Sequence, residues 1–264
     1  MVVSKNFSEQ VLLSEILAQH LEAHGVSVER RLNLGGTYLC DRALRAGQAD
    51  LYVEYTGTAL TAILKRPASA TPAEALRQVR EAYARDGLVV TEPLGFENTF
   101  AILVRGADAR RLGLARLSDL APHAPAMKAG FGYEFLNRED GYPGLARAYG
   151  LRLAETRVMD LGLTYRALAE GQVDVIAGNS TDGVIERLGL VQLDDDRRYF
   201  PPYQAVPVVR QAALDRVSAL GPALRELGTA IDAKTMRRLN EQVDGKKRPV
   251  PDVAREFLAA RRPN

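Results

Sequence analysis

A nine-residue pattern that occurs twice at one fixed offset constrains this chain more than any other feature. The first copy is Arg42-Ala-Leu-Arg-Ala-Gly47-Gln-Ala-Asp50, running on into Leu51–Thr61, LYVEYTGTALT, so that Tyr55-Thr56-Gly57-Thr58 begins five residues past the aspartate. The second is Arg166-Ala-Leu-Ala-Glu-Gly171-Gln-Val-Asp174, with Asn179-Ser180-Thr181-Asp182 at the same distance. Each copy reads as the last turns of a helix, a glycine stop that can take the left-handed conformation, a short apolar strand and a polar, hydroxyl-rich turn. Helix–glycine–strand units recur by chance in α/β chains; the match of Arg-Ala-Leu, Gly-Gln and Asp in one register is what favours a duplication. In open α/β sheets, ligands sit outside the carboxyl ends of the strands. The pattern therefore predicts two similar lobes, each offering one strand end to a shared cleft. Its period is too long and its copies too few for a solenoid.

At 264 residues the chain can bury a large core as one big domain or two modest ones. A net charge of +2 with 26% charged residues demands no polyanion, so no nucleic acid is expected as a partner. Lys246-Lys247-Arg248 and Arg237-Arg238 read as solvated helix faces. No run of apolar residues is long enough for a membrane span. Val2-Val3-Ser4 already reads as a first strand, so there is no signal peptide; if the protein is exported, its leader is not in this sequence and Met1 stands in its place. Cys40 is alone, which excludes an internal disulfide, a CxxC redox site and a cysteine zinc site, and it reads as buried filler on a helix. His20, His24 and His123 show no metal-ligand spacing, so neither a metal nor a cofactor is expected.

Taken in order, Val2–Ser4 leads to a helix capped by Asn6 or Ser8, with Leu13, Ile16, Leu17 and Leu21 as its apolar stripe and Gly25 as its stop. Val26, Val28, Leu32 and Leu34 alternate as a strand, and Gly35-Gly36-Thr37 turns into a helix over Tyr38–Ala46, either as a plain tight turn or as an anion nest. Thr71-Pro72-Ala73-Glu74 is a capping box with proline at N1, opening a helix that ends at Gly87. Leu88–Glu92 and Thr99–Arg105 read as strands. Beyond them come a strand at Ala126–Gly130, a loop at Phe131–Gly141, a helix ending at Tyr149-Gly150, a strand at Thr156–Val158, the second copy of the unit, and Leu190–Leu193. Asp194-Asp195-Asp196 lacks the ligand spacing of a calcium loop and reads as a solvated turn. Val206–Val209 reads as a return strand, and Leu214–Ala260 as helices packed back on the first lobe. This gives lobe 1 over 1–101 and 207–264, lobe 2 over 102–206, a ligand cleft between them, and a two-strand hinge that can close over a ligand.

With these pieces placed, the sequence resembles the substrate-binding proteins of ABC importers for glycine betaine, choline and related quaternary ammonium osmoprotectants. The matching segments are Ser4-Lys5-Asn6-Phe7-Ser8-Glu9-Gln10, Leu34-Gly35-Gly36-Thr37, Glu54-Tyr55-Thr56-Gly57-Thr58, Gly95-Phe96-Glu97-Asn98-Thr99-Phe100, Ser180-Thr181-Asp182-Gly183 and Phe200-Pro201-Pro202-Tyr203-Gln204. The resemblance implies an α/β periplasmic-binding-protein fold of the class with two crossovers (type II), and a chain that binds without catalysing. It also implies a monomer outside the cytoplasmic membrane, periplasmic or on its extracellular face, that meets the transmembrane subunits of a permease.

A quaternary ammonium has no N–H to donate, so aromatic faces meet its charge, at roughly 0.5–2 kcal/mol per contact. A carboxylate on the same ligand needs cationic or hydroxyl donors. By motif the family's carboxylate clamp falls on Lys5, Thr58 and Arg138, and its aromatic cage on Tyr55, Tyr203 and, with phenylalanine for tyrosine, Phe100. Gly36, Thr37 and Asn98 complete the expected ligand contacts. Asn98 stands where some members carry aspartate, and Asn179 stands where the family's second-lobe tyrosine precedes Ser-Thr-Asp. A carboxamide in place of a ring suits a ligand with N–H or ring-nitrogen groups: a larger betaine, a histidine-derived betaine such as ergothioneine, or an amino acid. Against these assignments, Lys5 could be a surface lysine, Tyr55, Tyr203 and Phe100 core aromatics, and Arg138 part of a local salt bridge in Asn137-Arg138-Glu139-Asp140. An enzyme on the same scaffold, using Glu54, Glu97 or Asp182, lacks a nucleophile–base pair. The effector half of a transcription regulator requires a helix-turn-helix ahead of Met1.

Overall fold

The computed structural model describes residues 1–69 and 71–261. Its strands form two five-stranded sheets, one in each of two units. The first unit is Met1–Asn98 with Pro202–Asn264, of which 262–264 lie outside the described residues; the second is Thr99–Pro201. The junctions thus fall at 98/99 and 201/202 rather than at 101/102 and 206/207. Backbone pairing sets them. Phe100 and Ala101 pair with Asn179 and Gly178 inside the second unit, whereas Ala205 and Val206 pair with Tyr55 and Glu54 inside the first. Phe100 therefore belongs to the second unit and Tyr203 to the first.

The first unit opens with β1 (Val2–Lys5), all of it buried, and α1 (Ser8–Ala23), which turns Leu13, Ile16, Leu17 and Leu21 inward as its spacing predicts. Phe7, without a side-chain cap, holds the N-cap position in place of Asn6 or Ser8. β2 (Arg30–Gly35) starts later than the alternation from Val26 suggests, because it is an edge strand paired only with β1. There follow α2 (Thr37–Arg45), β3 (Leu51–Tyr55), and α3 (Thr56–Thr58) running into a π-type turn at Ala59–Ile63, so the segment after β3 is helical rather than an open turn. α4 (Pro72–Arg85) begins at the expected cap, with Thr71 accepting from the Glu74 amide at 3.3 Å, but the Glu74 carboxylate accepts from Arg77 and Gln78 instead of closing the box, and β4 (Leu88–Val90) follows.

The second unit runs β5 (Phe100–Arg105), α5 (Gly106–Leu112), β6 (Lys128–Phe131), α6 (Tyr133–Asn137), α7 (Tyr142–Tyr149), β7 (Glu155–Val158), α8 (Leu161–Ala169), β8 (Val175–Asn179), α9 (Val184–Arg187) and β9 (Leu190–Gln192). The chain then returns through β10 (Ala205–Arg210), α10 (Gln211–Arg216), α11 (Leu220–Glu226), α12 (Ala233–Asn240) and α13 (Val250–Ala259). α6 occupies the expected loop Phe131–Gly141: five residues without a side-chain cap are too few for periodicity to show. The aspartate run is more than a solvated turn. Asp195 accepts from the Tyr149 hydroxyl and from the amides of Tyr199 and Phe200, both at 2.9 Å.

The sheet orders are β2-β1-β3-β10-β4 and β7-β6-β8-β5-β9. In each, three parallel strands are followed by one antiparallel strand that pairs with a short edge strand. Replacing each strand by its counterpart turns one order into the other, so the sequence repeat marks a repeated fold. Its residues hold the amino ends of the parallel strands. Gly47 and Gly171 take φ of +73° and +74°, which glycine adopts without strain. The Asp50 amide donates to the Met1 carbonyl at 2.9 Å, and the Asp174 amide to that of Lys128 at 2.7 Å. The Asp50 carboxylate accepts from the Met1 amine at 2.6 Å and that of Asp174 from the Lys128 amide at 2.9 Å. The last residue of each antiparallel strand, Arg210 or Arg105, faces the same carboxylate, at 3.9 and 2.7 Å.

Both faces of the second sheet are covered: Ile102, Val104 and Ala129 pack on one side, Ala101, Leu103 and Ile176 on the other. In the first unit Val3, Cys40, Leu44, Tyr52, Val79 and Val206 share a core, and Cys40 is the buried filler expected. Among the described residues no helix is long and apolar enough to cross a membrane.

Candidate functional site

Because β1, β2 and β3 are parallel, Lys5, Gly35 and Tyr55 all end strands at one edge of the first sheet. Lys5 is only 3% exposed, and its ammonium forms an ion pair with the fully buried Glu54 while lying 5.1 Å from the centre of the Tyr55 ring. Glu54 also accepts from the Tyr52 hydroxyl at 3.1 Å and from the Tyr55 amide at 2.7 Å. The Tyr55 hydroxyl donates to Glu9 at 2.6 Å, and the same carboxylate accepts from the amides of Asn98 and Asn240, each at 2.8 Å. Burial, with the Glu9 charge beside it, pushes the Tyr55 phenol well above its ordinary range. Phe7 stacks on the Tyr55 ring at 6.4 Å.

Asn98 is tied to the loop carrying Tyr203, its amide donating to the Tyr203 carbonyl at 3.0 Å. Tyr203 is buried against Gly57, where a Cβ would lie 2.7 Å from its Cδ1 and from the Pro202 carbonyl oxygen. The glycine of Tyr-Thr-Gly-Thr is thus required by the tyrosine ring. Thr58 is buried on α3, and Thr37 is buried as the first residue of α2. Gly36 caps α2 in an extended conformation, φ −74° and ψ −174°, so the glycine pair lacks the alternating right- and left-handed geometry of an anion nest.

In the second unit, Phe100 and Asn179 are cross-strand partners where β5 begins and β8 ends. The Arg138 guanidinium lies 5.3 Å from the Phe100 ring centre, and Phe135 meets the same ring edge-on at 4.8 Å. Arg138 is buried and grips Asp140 with two parallel hydrogen bonds of 2.8 and 2.5 Å. The local salt bridge and the placement beside Phe100 therefore hold together. Asn179 donates to Asp182 from its backbone at 3.0 Å and from its side-chain amide at 3.2 Å, and Asp182 also accepts from the Tyr165 hydroxyl.

The structure thus brings Lys5, Tyr55 and Asn98 together, with Tyr203 beside Thr58's helix, and separately Phe100, Arg138 and Asn179. Sequence reasoning missed several groups. Glu9, inside Lys5–Gln10, is the hub of the first cluster, and Asn240 reaches it from the C-terminal helices, where no motif marked it. The Glu54 partner of Lys5 was missed as well, whereas Asp140 pairs with Arg138 in the local salt bridge that the sequence offered. Both amide atoms of Gln10 and the Asn98 carbonyl oxygen are buried without a hydrogen-bond partner among the described residues, which native interiors rarely allow. Tyr133, which opens α6, is 70% exposed, and Val158 at the end of β7 and Leu161 and Leu163 in the first turn of α8 are exposed too.

The model of one protein family, described as the substrate-binding domain of ABC-type glycine betaine transport systems, matches residues 1–260. The chain is 34% identical over 259 residues to the ergothioneine transport permease/ergothioneine binding protein EgtU of Helicobacter pylori, a match covering 97% of this chain and 46% of that protein. It is 33% identical over 255 residues to the carnitine transport binding protein OpuCC of Listeria monocytogenes, covering 95% and 83%. A crystal structure described as a glycine betaine/carnitine/choline ABC transporter superposes with a TM-score of 0.78 at 33% identity, covering 98% of this chain and 97% of that one.

Proposed function

Since the chain belongs to the family of substrate-binding domains of ABC-type glycine betaine transport systems, we propose that it captures a small betaine-like solute outside the cytoplasmic membrane and passes it to a permease. The observation that supports this is the make-up of the two clusters. Each sets a cation over an aromatic ring with an amide in the same cluster: Lys5 over Tyr55 with Asn98 in one unit, Arg138 over Phe100 with Asn179 in the other, the two rings standing at strand ends. We assign both clusters to one ligand, whose carboxylate meets Lys5, Thr58 and Arg138 and whose cationic end meets the rings. Gly36, Thr37 and Tyr203 are assigned to the same ligand. The protein acts as a monomer and releases its ligand chemically unchanged.

Asn179 favours a particular member of the class. One N–H of its carboxamide is committed to Asp182 at 3.2 Å, and we assign its carbonyl oxygen to the ligand as an acceptor. An acceptor there suits a ligand that carries a ring N–H beside its betaine group, such as ergothioneine, better than a bare trimethylammonium. Titration calorimetry against glycine betaine, carnitine, choline, ergothioneine and arginine tests the reading. One-to-one binding of a betaine, with ergothioneine at least as tight as glycine betaine, is expected. No heat from any betaine would overturn the solute class, and binding of glycine betaine alone would overturn the role given to Asn179.

A further inference from the structure

Away from both clusters, two histidines and a glutamate converge at the other end of α1. His20 lies in the last turn of α1 and His24, four residues on, is its C-cap residue, while Glu226 is the last residue of α11. This is a spacing that inspection of the sequence passed over, because the third group comes from a segment two hundred residues away. The ring centres are 4.4 Å apart. Glu226 Oε2 lies 3.0 Å from His24 Nε2 and 3.8 Å from His20 Nε2, and one ligand atom from each residue falls within 4.8 Å of the other two.

We propose that His20, His24 and Glu226 form a site for a divalent first-row transition ion of the kind that imidazole favours, with zinc as the representative. Metal–nitrogen and metal–oxygen bonds of about 2.0–2.2 Å place neighbouring donors roughly 3–3.5 Å apart. The two separations to Glu226 bracket that range, and the half-exposed glutamate, at 57%, is free to close the remainder by rotation. His24 Nδ1 is 2.8 Å from the His20 carbonyl, which fixes the tautomer that points the Nε2 lone pair at Glu226. His20 Nε2 lies 2.9 Å from the Ala223 carbonyl, so an ion replacing the proton there finds a further oxygen at hand. Both helices end at this point, and the unsatisfied carbonyls of a helix C-terminus favour a cation. Arg261, the nearby like charge that would repel a cation, is held on the Ala230 carbonyl at 2.6 Å.

An ion here would tie α1 to α11 within the first unit. The test is zinc titration of the tag-free, chelator-stripped chain by calorimetry, with thermal melting in parallel. One equivalent of zinc is expected to bind and to raise the melting temperature. His24→Ala should weaken binding by about tenfold or more, since loss of even an outer-shell partner costs about tenfold to hundredfold, and Glu226→Gln should weaken it too. Both variants should melt like the parent without zinc, and His123→Ala should bind as the parent does. Absence of binding in the parent, or equal binding in His24→Ala and the parent, would overturn the assignment.

Discussion

The charges of the two clusters are held in pairs. Arg138 with Asp140 is the clearest case, since both are buried. Arg138→Ala leaves a buried carboxylate without its guanidinium, and such a break costs about 3–5 kcal/mol. Urea unfolding should show that loss and should recover most of it in Arg138→Ala/Asp140→Ala; a single variant within about 0.5 kcal/mol of the parent would contradict the pairing. The buried tyrosines make a second prediction. Burial raises the phenols of Tyr52, Tyr55 and Tyr83 well above their ordinary range. Between the unfolded value of about 10 and the higher folded one, the folded chain keeps protons that the unfolded chain has lost. The stabilisation is therefore full below about pH 10 and falls as pH rises beyond it, by about 1.4 kcal/mol per pH unit for each such tyrosine. Chemical unfolding between pH 9 and 11 should bend downward, and a flat profile would mean these hydroxyls are open to solvent. Asn179→Tyr should improve trimethylammonium ligands by about 1 kcal/mol relative to ergothioneine, read by calorimetry. At this scale the positions of Lys5, Tyr55 and Arg138 were legible from motif, and Asp140 from its place two residues on. The Lys5–Glu54 pair was not, because it depends on how β1 and β3 align across the sheet.

The repeated helix–glycine–strand element separates backbone demands from packing demands. Gly47 and Gly171 share one conformation, but a Cβ at Gly171 meets nothing within 4 Å whereas one at Gly47 lies 3.1 Å from the Arg210 guanidinium. Gly171→Ala should cost about 1 kcal/mol from the left-handed backbone alone. Gly47→Ala should cost more, since it also crowds the arginine facing Asp50. Gly57→Ala has no such backbone strain but collides with Tyr203, and overpacking of this kind costs about 1–3 kcal/mol. Denaturant midpoints of the three variants measure the ranking; Gly171→Ala as the most damaging would contradict it. The duplicated element was legible because three groups matched in register, yet its repeated aspartates serve the amino ends of the parallel strands, while Lys5, Tyr55 and Asn179 stand at the carboxyl ends. α6 was illegible: one turn has no period to read. The start of β2 was misplaced because alternation continues through Val26 and Val28, residues that precede the pairing with β1.

For the whole molecule, the two-unit α/β architecture followed from one repeat and the type II class from the family resemblance, whereas the unit boundaries depended on pairings that only the fold displays. A ligand that binds the folded chain alone stabilises it by mass action, about 2.7 kcal/mol at a hundredfold excess over Kd. Melting with a betaine should therefore shift upward and saturate with concentration. The central claim is that one solute engages residues of both units. Its most direct test is calorimetry of the best-binding betaine with Thr58→Val, altered in the first unit, and Asn179→Ala, altered in the second, each shown to be folded. The account predicts one ligand per chain in the parent and weaker binding in both variants, by tenfold or so, which is about 1.4 kcal/mol. Binding that is lost in one variant and untouched in the other would contradict it.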